Sequence, residues 1–386
     1  MHALRSRGHH IEALADGLLN WMVHCENERV DDISWLDEQL AAKYDAMWWG
    51  WSTNLRHVEM AVALRNKHST HYLIDFDDDV ANTHVYNVGY KHLHPATEGL
   101  RVVRMSMRVA DALTTSTPPL VASLTPNCRH THLLPNFTHP PHWLDLPRDP
   151  SRADDHSIRI MFAGGPSHLP DLELETFRHS IERVMERYDG CDGRPHVKLI
   201  FVCAMPTWAA RWATSSSTPS ANRAFYIHPT YNDARLWQRL ITWVAPDIMV
   251  APLAHNTFNV SKSLIKAYDA AMVDGCAFVC EDYPTYADIP ADACVRVDST
   301  TADNISAPGE LAWEEALAAL IEDATLRRER SHRLREWVLD CRTIEGNIHL
   351  WEAAFEEATS RPLVRDLSDI VRPRIYAPDG RLARDD

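Results

Sequence analysis

Residues 247–282 constrain the fold of this chain more than any other segment. The apolar run DIMVAPL (247–253) has the length and composition of a buried strand, and CAFVCED (276–282) provides a second strand that ends in acids. A polar loop and a helical pattern running to Gly275 lie between them. Two buried strands joined through a helix form a parallel βαβ unit. The sequence therefore predicts an α/β protein with parallel sheets.

The loop of this unit concentrates polar side chains at the predicted start of the helix. They belong to Asn256, Asn259, Ser261, Lys262, Ser263 and, one turn later, Lys266. Free backbone N–H groups and the dipole of a helix N-terminus favour an anion there. Lys262 and Lys266 are one turn apart, so both ammonium groups can face one ligand. A phosphate-bearing ligand is predicted; the alternative is a solvated helix face whose serines only cap the helix.

The same stretch resembles the nucleotide-sugar half of GT-B glycosyltransferases, in particular the family-4-like bacterial and phage enzymes of the group 1 type. Their pattern is close to APL…NPFN..KS..K..E, followed by a small-residue helix, a glycine and an apolar strand. The matching residues are Ala251-Pro252-Leu253, Asn256, Phe258-Asn259, Lys262-Ser263, Lys266 and Asp269. The last acid is usually Glu in the family, and the motif of two Glu residues flanking seven others is absent here.

This resemblance implies GT-B architecture, with two Rossmann-like domains facing a cleft. It implies an N-terminal acceptor domain over 1–145, a nucleotide-sugar domain over 146–345, and a crossing helix with a tail over 346–386. The N-terminal domain would lack its first strand, because HALRSRG (2–8) reads as the end of a helix. The implied activity is a retaining, metal-independent transfer of a sugar from a nucleotide diphosphate sugar, with no cofactor besides that co-substrate.

A glycine-rich turn follows the strand IRIMFA (158–163), which resembles the opening strand of the family's second domain. Glycine lets a backbone come close to a ligand, although a plain strand-to-helix turn is the alternative. The donor-binding candidates are Gly164, Gly165, Ser167, His168, Asn256, Asn259, Ser261, Ser263 and Asp269. Among them, Asp269 would accept hydrogen bonds from ribose hydroxyls. Lys262 and Lys266 would stabilise the leaving diphosphate.

A cluster of acids ends the strand HYLIDF (71–76) in the first half. Asp77 and Asp78 are candidates for general-base work, and the acceptor-side candidates are Asp75, Asp79 and His84. Cation binding and a helix-capping acidic loop remain open. For His84 and His168 an ordinary surface histidine is the favoured alternative to a role in the site. No metal site is predicted, since GT-B enzymes usually hold the donor phosphates with helix dipoles and basic residues.

Composition excludes several other classes. The net charge of −15 argues against a generally basic nucleic-acid surface, and no apolar run reaches the ~18 residues of a membrane span. Eight cysteines form no CxxC pair and 22 histidines follow no ligand spacing, so neither a zinc site nor a disulfide framework is indicated. We expect a reduced cytoplasmic enzyme of a bacterium or of a phage-infected bacterium.

Two other functions remain open on the sequence alone. One is a phage-type glycosyltransferase that acts on modified bases in DNA, and the other is a non-catalytic protein that binds nucleotide sugars. The partner accepting the sugar would be a glycan, a small molecule or modified DNA. The donor base, the sugar and the oligomeric state do not follow from the sequence.

Hydrophobic periodicity predicts the remaining elements. In the first half it predicts strands over 9–14, 45–51, 71–76, 112–117 and 130–135 and helices over 33–42, 54–67 and 96–110, before a linker over 137–156. In the second half it predicts strands over 158–163, 197–204, 224–229 and 293–298, an insert over 214–221, and helices over 171–187, 232–244, 310–323, 325–342 and 346–359.

Overall fold

The computed structural model describes residues 2–11, 43–85, 87, 89–191, 193–213, 223–228, 235–299 and 308–363. It divides into two compact units. The first comprises Met1–Ala81, Lys91–Pro135 and Ile348–Asp386, and the second comprises Asn82–Tyr90 and Asn136–Asn347. None of the helices in the described ranges combines the length and the apolar composition that a bilayer crossing requires.

A four-stranded parallel sheet forms the centre of the first unit, with the strands in chain order. The strands are β1 (Ala46–Gly50), β2 (His71–Phe76), β3 (Ala112–Thr115) and β4 (Thr131–Leu133). The helices are α1 (His2–Ser6), α2 (Leu55–His68), α3 (Tyr90–Leu93), α4 (Glu98–Val109) and α5 (Pro118–Leu124). Thr97 and Thr117 cap α4 and α5, because each side chain accepts a hydrogen bond from the third residue after it.

A buried ion pair ties α2 to this sheet. The guanidinium of Arg65 donates from Nε and Nη2 to the two carboxylate oxygens of Asp111, both at 2.8 Å. The Asp111 carboxylate also accepts from the backbone N–H of Tyr72 at 2.9 Å. Since Asp111 directly precedes β3 and Tyr72 lies in β2, one carboxylate connects two strands and a helix.

A six-stranded parallel sheet forms the centre of the second unit. Its strands are β5 (Ile158–Ala163), β6 (Val197–Val202), β7 (Ala224–Ile227), β8 (Ile248–Ala251), β9 (Ala277–Glu281) and β10 (Val295–Val297). Their spatial order is β10-β9-β8-β5-β6-β7. The chain builds outward from β5 to β7, returns to the other side of β5, and builds outward again from β8 to β10. The order therefore reverses between β5 and β8, which is where open α/β sheets bind ligands.

Helices and short helical turns connect these strands. They are α6 (Leu169–Leu172), α7 (Glu175–Arg187), α8 (Ala210–Ala213), α9 (Arg235–Val244), α10 (Thr257–Val260), α11 (Ile265–Met272), α12 (Pro308–Glu322), α13 (Ala324–Cys341) and α14 (Ile344–Ser360). Side chains of β5 alternate between two hydrophobic cores, with Ile160 and Phe162 in one and Met161 and Ala163 in the other. Burial on both faces explains why the strand reads as a continuous apolar run.

The last helix, α14, is part of the first unit from Ile348 onward. Phe355 and Ala358 on one of its faces pack against Leu73 of β2 and Ala112 of β3. The amphipathic stripe predicted over 346–359 is therefore the surface that covers the first sheet.

The predicted strands over 45–51, 71–76 and 158–163 are confirmed, as are the helices over 54–67 and 96–110. Two predicted helices are wrong as single elements. The helix over 171–187 is divided into α6 and α7, and the helix from the polar loop to Gly275 is divided into α10 and α11. In the second case the carbonyl of Asn259 accepts from Lys262 N at 3.2 Å and from Thr285 Oγ1 at 2.7 Å, so the backbone leaves the α-helical hydrogen-bond pattern between α10 and α11.

Other predictions fall partly or wholly outside the described residues. The strand over 9–14 has no strand conformation at 9–11, and its remaining residues are outside the described ranges. The helix over 33–42 and the insert over 214–221 are also outside them.

Asp269 on α11 is buried, with only 6% of its surface exposed. Its Oδ2 accepts a hydrogen bond of 2.8 Å from the indole Nε1–H of Trp237 on α9. Burial raises the pKa of the Asp269 carboxyl to about 7, since desolvation outweighs this hydrogen bond and the charge of Lys266. Asp269 thus joins two helices at a position where an ionised carboxylate is costly.

Replacement of Asp269 by Asn tests this cost. A raised pKa means that the folded state keeps a proton that the unfolded state loses, so wild-type stability falls as pH rises from about 4 to 7. Asn keeps an acceptor for Trp237 and does not ionise. We therefore compare the free energy of unfolding of Asp269→Asn with that of the wild type at each pH. From pH 4 to pH 7 this difference should change in favour of the variant by on the order of a few kcal/mol. Urea unfolding at a series of pH values measures it.

Asp340→Asn is the matched control, because Asp340 is exposed on α13. It should show little pH-dependent difference from wild type. A constant difference between Asp269→Asn and wild type from pH 4 to 8 would contradict the assignment of a raised pKa to Asp269.

Candidate functional site

The turn after β5 and the loop after β8 meet at the carboxyl edge of the second sheet. They are neighbours because β5 and β8 pair directly, with Ile160 aligned to Ile248 and Met161 to Met249. The first segment contains the glycine turn that begins at Gly164. The second contains the polar residues predicted to bind phosphate.

The carboxylate of Asp171 joins these two segments. Asp171 is 2% exposed. Its Oδ2 accepts from His168 Nδ1 at 2.7 Å. Its Oδ1 accepts from the backbone N–H of Ala254 at 2.9 Å and from Asn259 Nδ2 at 2.8 Å. One buried side chain therefore fixes the turn after β5 relative to the loop after β8.

His168 connects the same network to a lysine. The ammonium group of Lys266 donates to His168 Nε2 at 3.0 Å. The ring is buried, and burial together with the charge of Lys266 lowers the pKa of His168 to about 4. The imidazole is therefore neutral near pH 7, with Nδ1–H donating to Asp171 and Nε2 accepting from Lys266. His168, predicted to contact the donor, holds Lys266 beside the glycine turn in this structure.

The two glycines of the turn have different surroundings. A Cβ added at Gly164 would lie 3.0 Å from His168 Cδ2 and 3.0 Å from Phe162 Cζ, so packing requires glycine there. A Cβ at Gly165 would meet no described atom within 4 Å. Ser167 is half-buried in the short 3₁₀ turn Pro166–His168. Open space therefore adjoins the backbone at Gly165.

The loop after β8 is organised by its own side chains. The side chain of Asn256 caps α10 by accepting from Asn259 N at 2.9 Å. The ammonium group of Lys262 lies 4.5 Å from the centre of the Phe258 ring. This cation–π contact holds the lysine near the end of α10.

The predicted serines do not begin a helix. Ser261 is buried at the C-terminal cap of α10, and α11 begins only after Leu264. Ser263 Oγ accepts from Asn136 Nδ2 at 3.1 Å. The expectation that both hydroxyls lie at the N-terminus of a long helix is therefore wrong, because the helix starts later.

Three neighbouring residues of this edge are not predicted from the sequence. Glu281 at the end of β9 is fully buried, and its Oε1 accepts from His255 Nε2 at 3.2 Å. The Tyr283 ring lies 4.4 Å from the His255 ring, and its hydroxyl donates to the carbonyl of Asn256 at 3.0 Å. A glutamate at the end of an apolar strand was the available signal for this group.

The acids of the first unit lie at the carboxyl end of β2. Asp75 Oδ1 accepts from Thr114 Oγ1 at 2.5 Å, and burial raises the pKa of Asp75 to about 6. Asp79 is buried and accepts from Ser123 Oγ at 3.1 Å. Asp77 is exposed and Asp78 is half-buried. The cluster thus contains two anchored and two more accessible carboxylates.

The remaining predictions of the sequence concern His84 and metal binding. His84 is half-buried in Asn82–Tyr90, which belongs to the second unit and not to the first. Within the described ranges, no group of three or more His, Cys, Asp or Glu side chains is placed to hold a metal ion.

No family model matches the sequence, and no curated protein matches it. Solved structures do resemble it. Sucrose-phosphate synthase from Thermosynechococcus elongatus is 14% identical, with a TM-score of 0.53 over 82% of this chain and 74% of that one. Trehalose-6-phosphate synthase OtsA is 13% identical, with a TM-score of 0.56 over 86% and 76%. Anabaena HepE in complex with UDP is 11% identical, with a TM-score of 0.50 over 84% and 80%.

Identities this low carry information about the fold alone. The neighbours are GT-B proteins, and the likeness extends over both parallel sheets of this chain. The chain therefore has the GT-B fold, with two Rossmann-like domains.

Proposed function

We propose that the protein is a glycosyltransferase that transfers a sugar from a nucleotide diphosphate sugar to an acceptor. One observation carries this proposal: Asp171 joins the glycine turn after β5 to the polar loop after β8 where the strand order of the second sheet reverses. Ligands of open α/β sheets bind in the crevice at this point. The space beside Gly165 gives a diphosphate access to the backbone.

Ligands of two similar structures support a nucleotide sugar as the donor. An E. coli trehalose-6-phosphate structure, 13% identical to this chain, contains UDP-2-fluoro glucose, and HepE contains UDP. A uridine nucleotide is therefore the first donor to test.

Two lysines would stabilise the leaving diphosphate. The ammonium group of Lys266 lies 3.0 Å from His168 Nε2, next to the glycine turn where the diphosphate would lie. Because His168 is neutral, its ring accepts the hydrogen bond of Lys266 and does not repel the ammonium group. Negative charge grows on the leaving diphosphate during transfer, and fixed cations at that position lower the barrier. This arrangement supports a metal-independent reaction.

Retention of configuration is the stereochemistry that we propose. Trehalose-6-phosphate synthase, one of the similar structures, is described as transferring sugar with retention. The acids of the first unit would serve the acceptor, because they lie at the carboxyl end of β2 while the donor residues belong to the second unit. The net charge of −15 makes a glycan or a small molecule a better acceptor than DNA.

Nucleotide binding is the first test of this proposal. A nucleoside diphosphate that binds the folded protein stabilises it by about 2.7 kcal/mol at 100 times its dissociation constant. We expect UDP, or else GDP, ADP, CDP or TDP, to raise the melting temperature of the full chain. If none of the five changes it, the donor site is wrongly assigned.

Substitution of the lysines tests their role in the chemical step. Lys266→Ala and Lys262→Ala should each lower kcat by about 10²-fold, because each removes a charge that stabilises the leaving group. Lys67→Ala, which removes an exposed lysine at the end of α2, is the control and should keep the parental rate. Parental kinetics in both single variants and in the double variant would rule out this role.

Asp77→Asn and Asp78→Asn test the acceptor side. Asn keeps the shape of the side chain but removes its charge and basicity. We expect transfer to the acceptor to fall by at least about 10²-fold while the dissociation constant of the nucleoside diphosphate stays unchanged. Chelator is added in a parallel assay, and loss of activity there would indicate a metal role instead. Parental transfer rates in both variants would show that the cluster is structural.

A further inference from the structure

Glu281 has an unusual environment for a carboxylate. It lies at the carboxyl end of β9, where it is fully buried. Its Oε1 accepts from Ser299 N at 3.1 Å, from the hydroxyl of Ser299 and from His255 Nε2 at 3.2 Å, while its Oε2 accepts no hydrogen bond from any described residue. Burial raises the pKa of Glu281. A buried acid of this kind costs stability, so a purpose beyond folding is indicated.

His255 connects the buried carboxylate of Glu281 to the protein surface. The side chain of His255 is 32% exposed, in contrast to the buried acid behind it. The Tyr283 ring lies against one face of the imidazole, and the Tyr283 hydroxyl is bound to the backbone of the same loop. The ring of His255 is therefore held from two sides.

The pair adjoins the proposed diphosphate site, with His255 in the loop after β8 and Glu281 on the next strand. His255 follows β8, Glu281 ends β9, and the two strands pair directly with Ala251 aligned to Cys280. Neighbouring strands are about 4.8 Å apart. In a nucleotide sugar, the sugar is bonded directly to the terminal phosphate. With the diphosphate at the ends of β5 and β8, the attached sugar is therefore long enough to reach the neighbouring strand, where Glu281 and His255 meet.

The hydrogen-bonding pattern selects the chemical group that His255 can bind. In the tautomer that carries its proton on Nε2 and donates to Glu281, the Nδ1 of His255 has a lone pair that accepts a hydrogen bond. A sugar hydroxyl can donate to this lone pair, whereas an ionised phosphate oxygen has no proton to donate. The adjoining aromatic ring of Tyr283 adds an apolar surface suited to the face of a sugar.

We propose that His255 binds a hydroxyl group of the transferred sugar, and that Glu281 is the positioning residue that fixes the imidazole for this contact. The proposal rests on the proposed glycosyltransferase function. It adds to that function the residue that recognises the sugar part of the donor.

The test compares a nucleoside diphosphate with the corresponding nucleotide sugar. UDP and UDP-glucose are used, and if a different nucleoside diphosphate stabilises the wild-type protein, that nucleotide and its glucose derivative replace them. His255→Gln keeps a donor to Glu281 in the place of Nε2 but loses the acceptor at Nδ1. His255→Asn places an amide oxygen near the position of Nδ1. We expect His255→Gln and His255→Ala to raise KM for the nucleotide sugar about tenfold, since a hydroxyl is left without its partner. His255→Asn should recover most of this loss.

The nucleotide alone provides the discriminating readout. The dissociation constant of UDP should stay the same in all three variants, and kcat should change less than KM, because a contact to the sugar is present before and during the reaction. Glu281→Gln should raise KM in the same direction without changing UDP affinity. His332→Gln is the matched control, because His332 forms an exposed pair with Glu336 on α13 at 3.3 Å and should leave all constants unchanged.

Three outcomes would overturn an assignment. Equal weakening of UDP and UDP-glucose by His255→Gln would place His255 at the diphosphate and refute the sugar contact. An unchanged KM in His255→Ala would also refute it. If the wild-type protein binds no nucleoside diphosphate and transfers no sugar, the proposed function itself fails, and this result is distinguishable because it concerns the wild type and not the variants.

Discussion

The buried carboxylate of Asp171 is the interaction on which the candidate site depends. It accepts from a side chain of its own turn and from two groups of the loop after β8, so its removal would leave several buried donors without a partner. The side chain of Asn259 donates to Asp171 and to the carbonyl of Ala254, while its own carbonyl accepts from Thr285 Oγ1 at 2.7 Å. The chain leaves the helical pattern after α10, and the lysine-bearing helix α11 begins separately.

From this anchor, a chain of hydrogen bonds extends to the reactive part of the site. Asp171 sets the tautomer of His168, and the free Nε2 of that ring receives Lys266. A histidine protonated at both nitrogens would repel the lysine, and burial prevents this by lowering the pKa of the ring. Lys266 therefore donates to a neutral ring next to the glycine turn, although that ring is itself a titratable group.

Buried carboxyl groups recur at the strand ends and helix contacts of both units. Asp75, Asp269 and Glu281 each have a raised pKa for the same first cause, which is the loss of solvent around the charge. Each also accepts hydrogen bonds from side chains on neighbouring segments. Such groups make a fold less tolerant of alkaline conditions, yet they orient the donors next to them. In the second unit, Glu281 orients the ring of His255 in this way.

The sequence by itself determined the α/β class, the positions of most strands and the segments that form the candidate site. Apolar runs of strand length and the glycines after them are local signals, and β5, β8 and β9 follow from them. The lysines could be named because they lie in the polar segment between two apolar strands. Their predicted common helical face is wrong, because Lys262 lies between α10 and α11 and only Lys266 is on a helix. Only the tertiary structure decided which side chains contact each other. That His168 faces Lys266, that Asp269 faces Trp237, and that a glutamate ending an apolar strand meets His255 all depend on the order of the strands. Strand order is fixed by contacts between residues far apart in the chain, and no local pattern contains it.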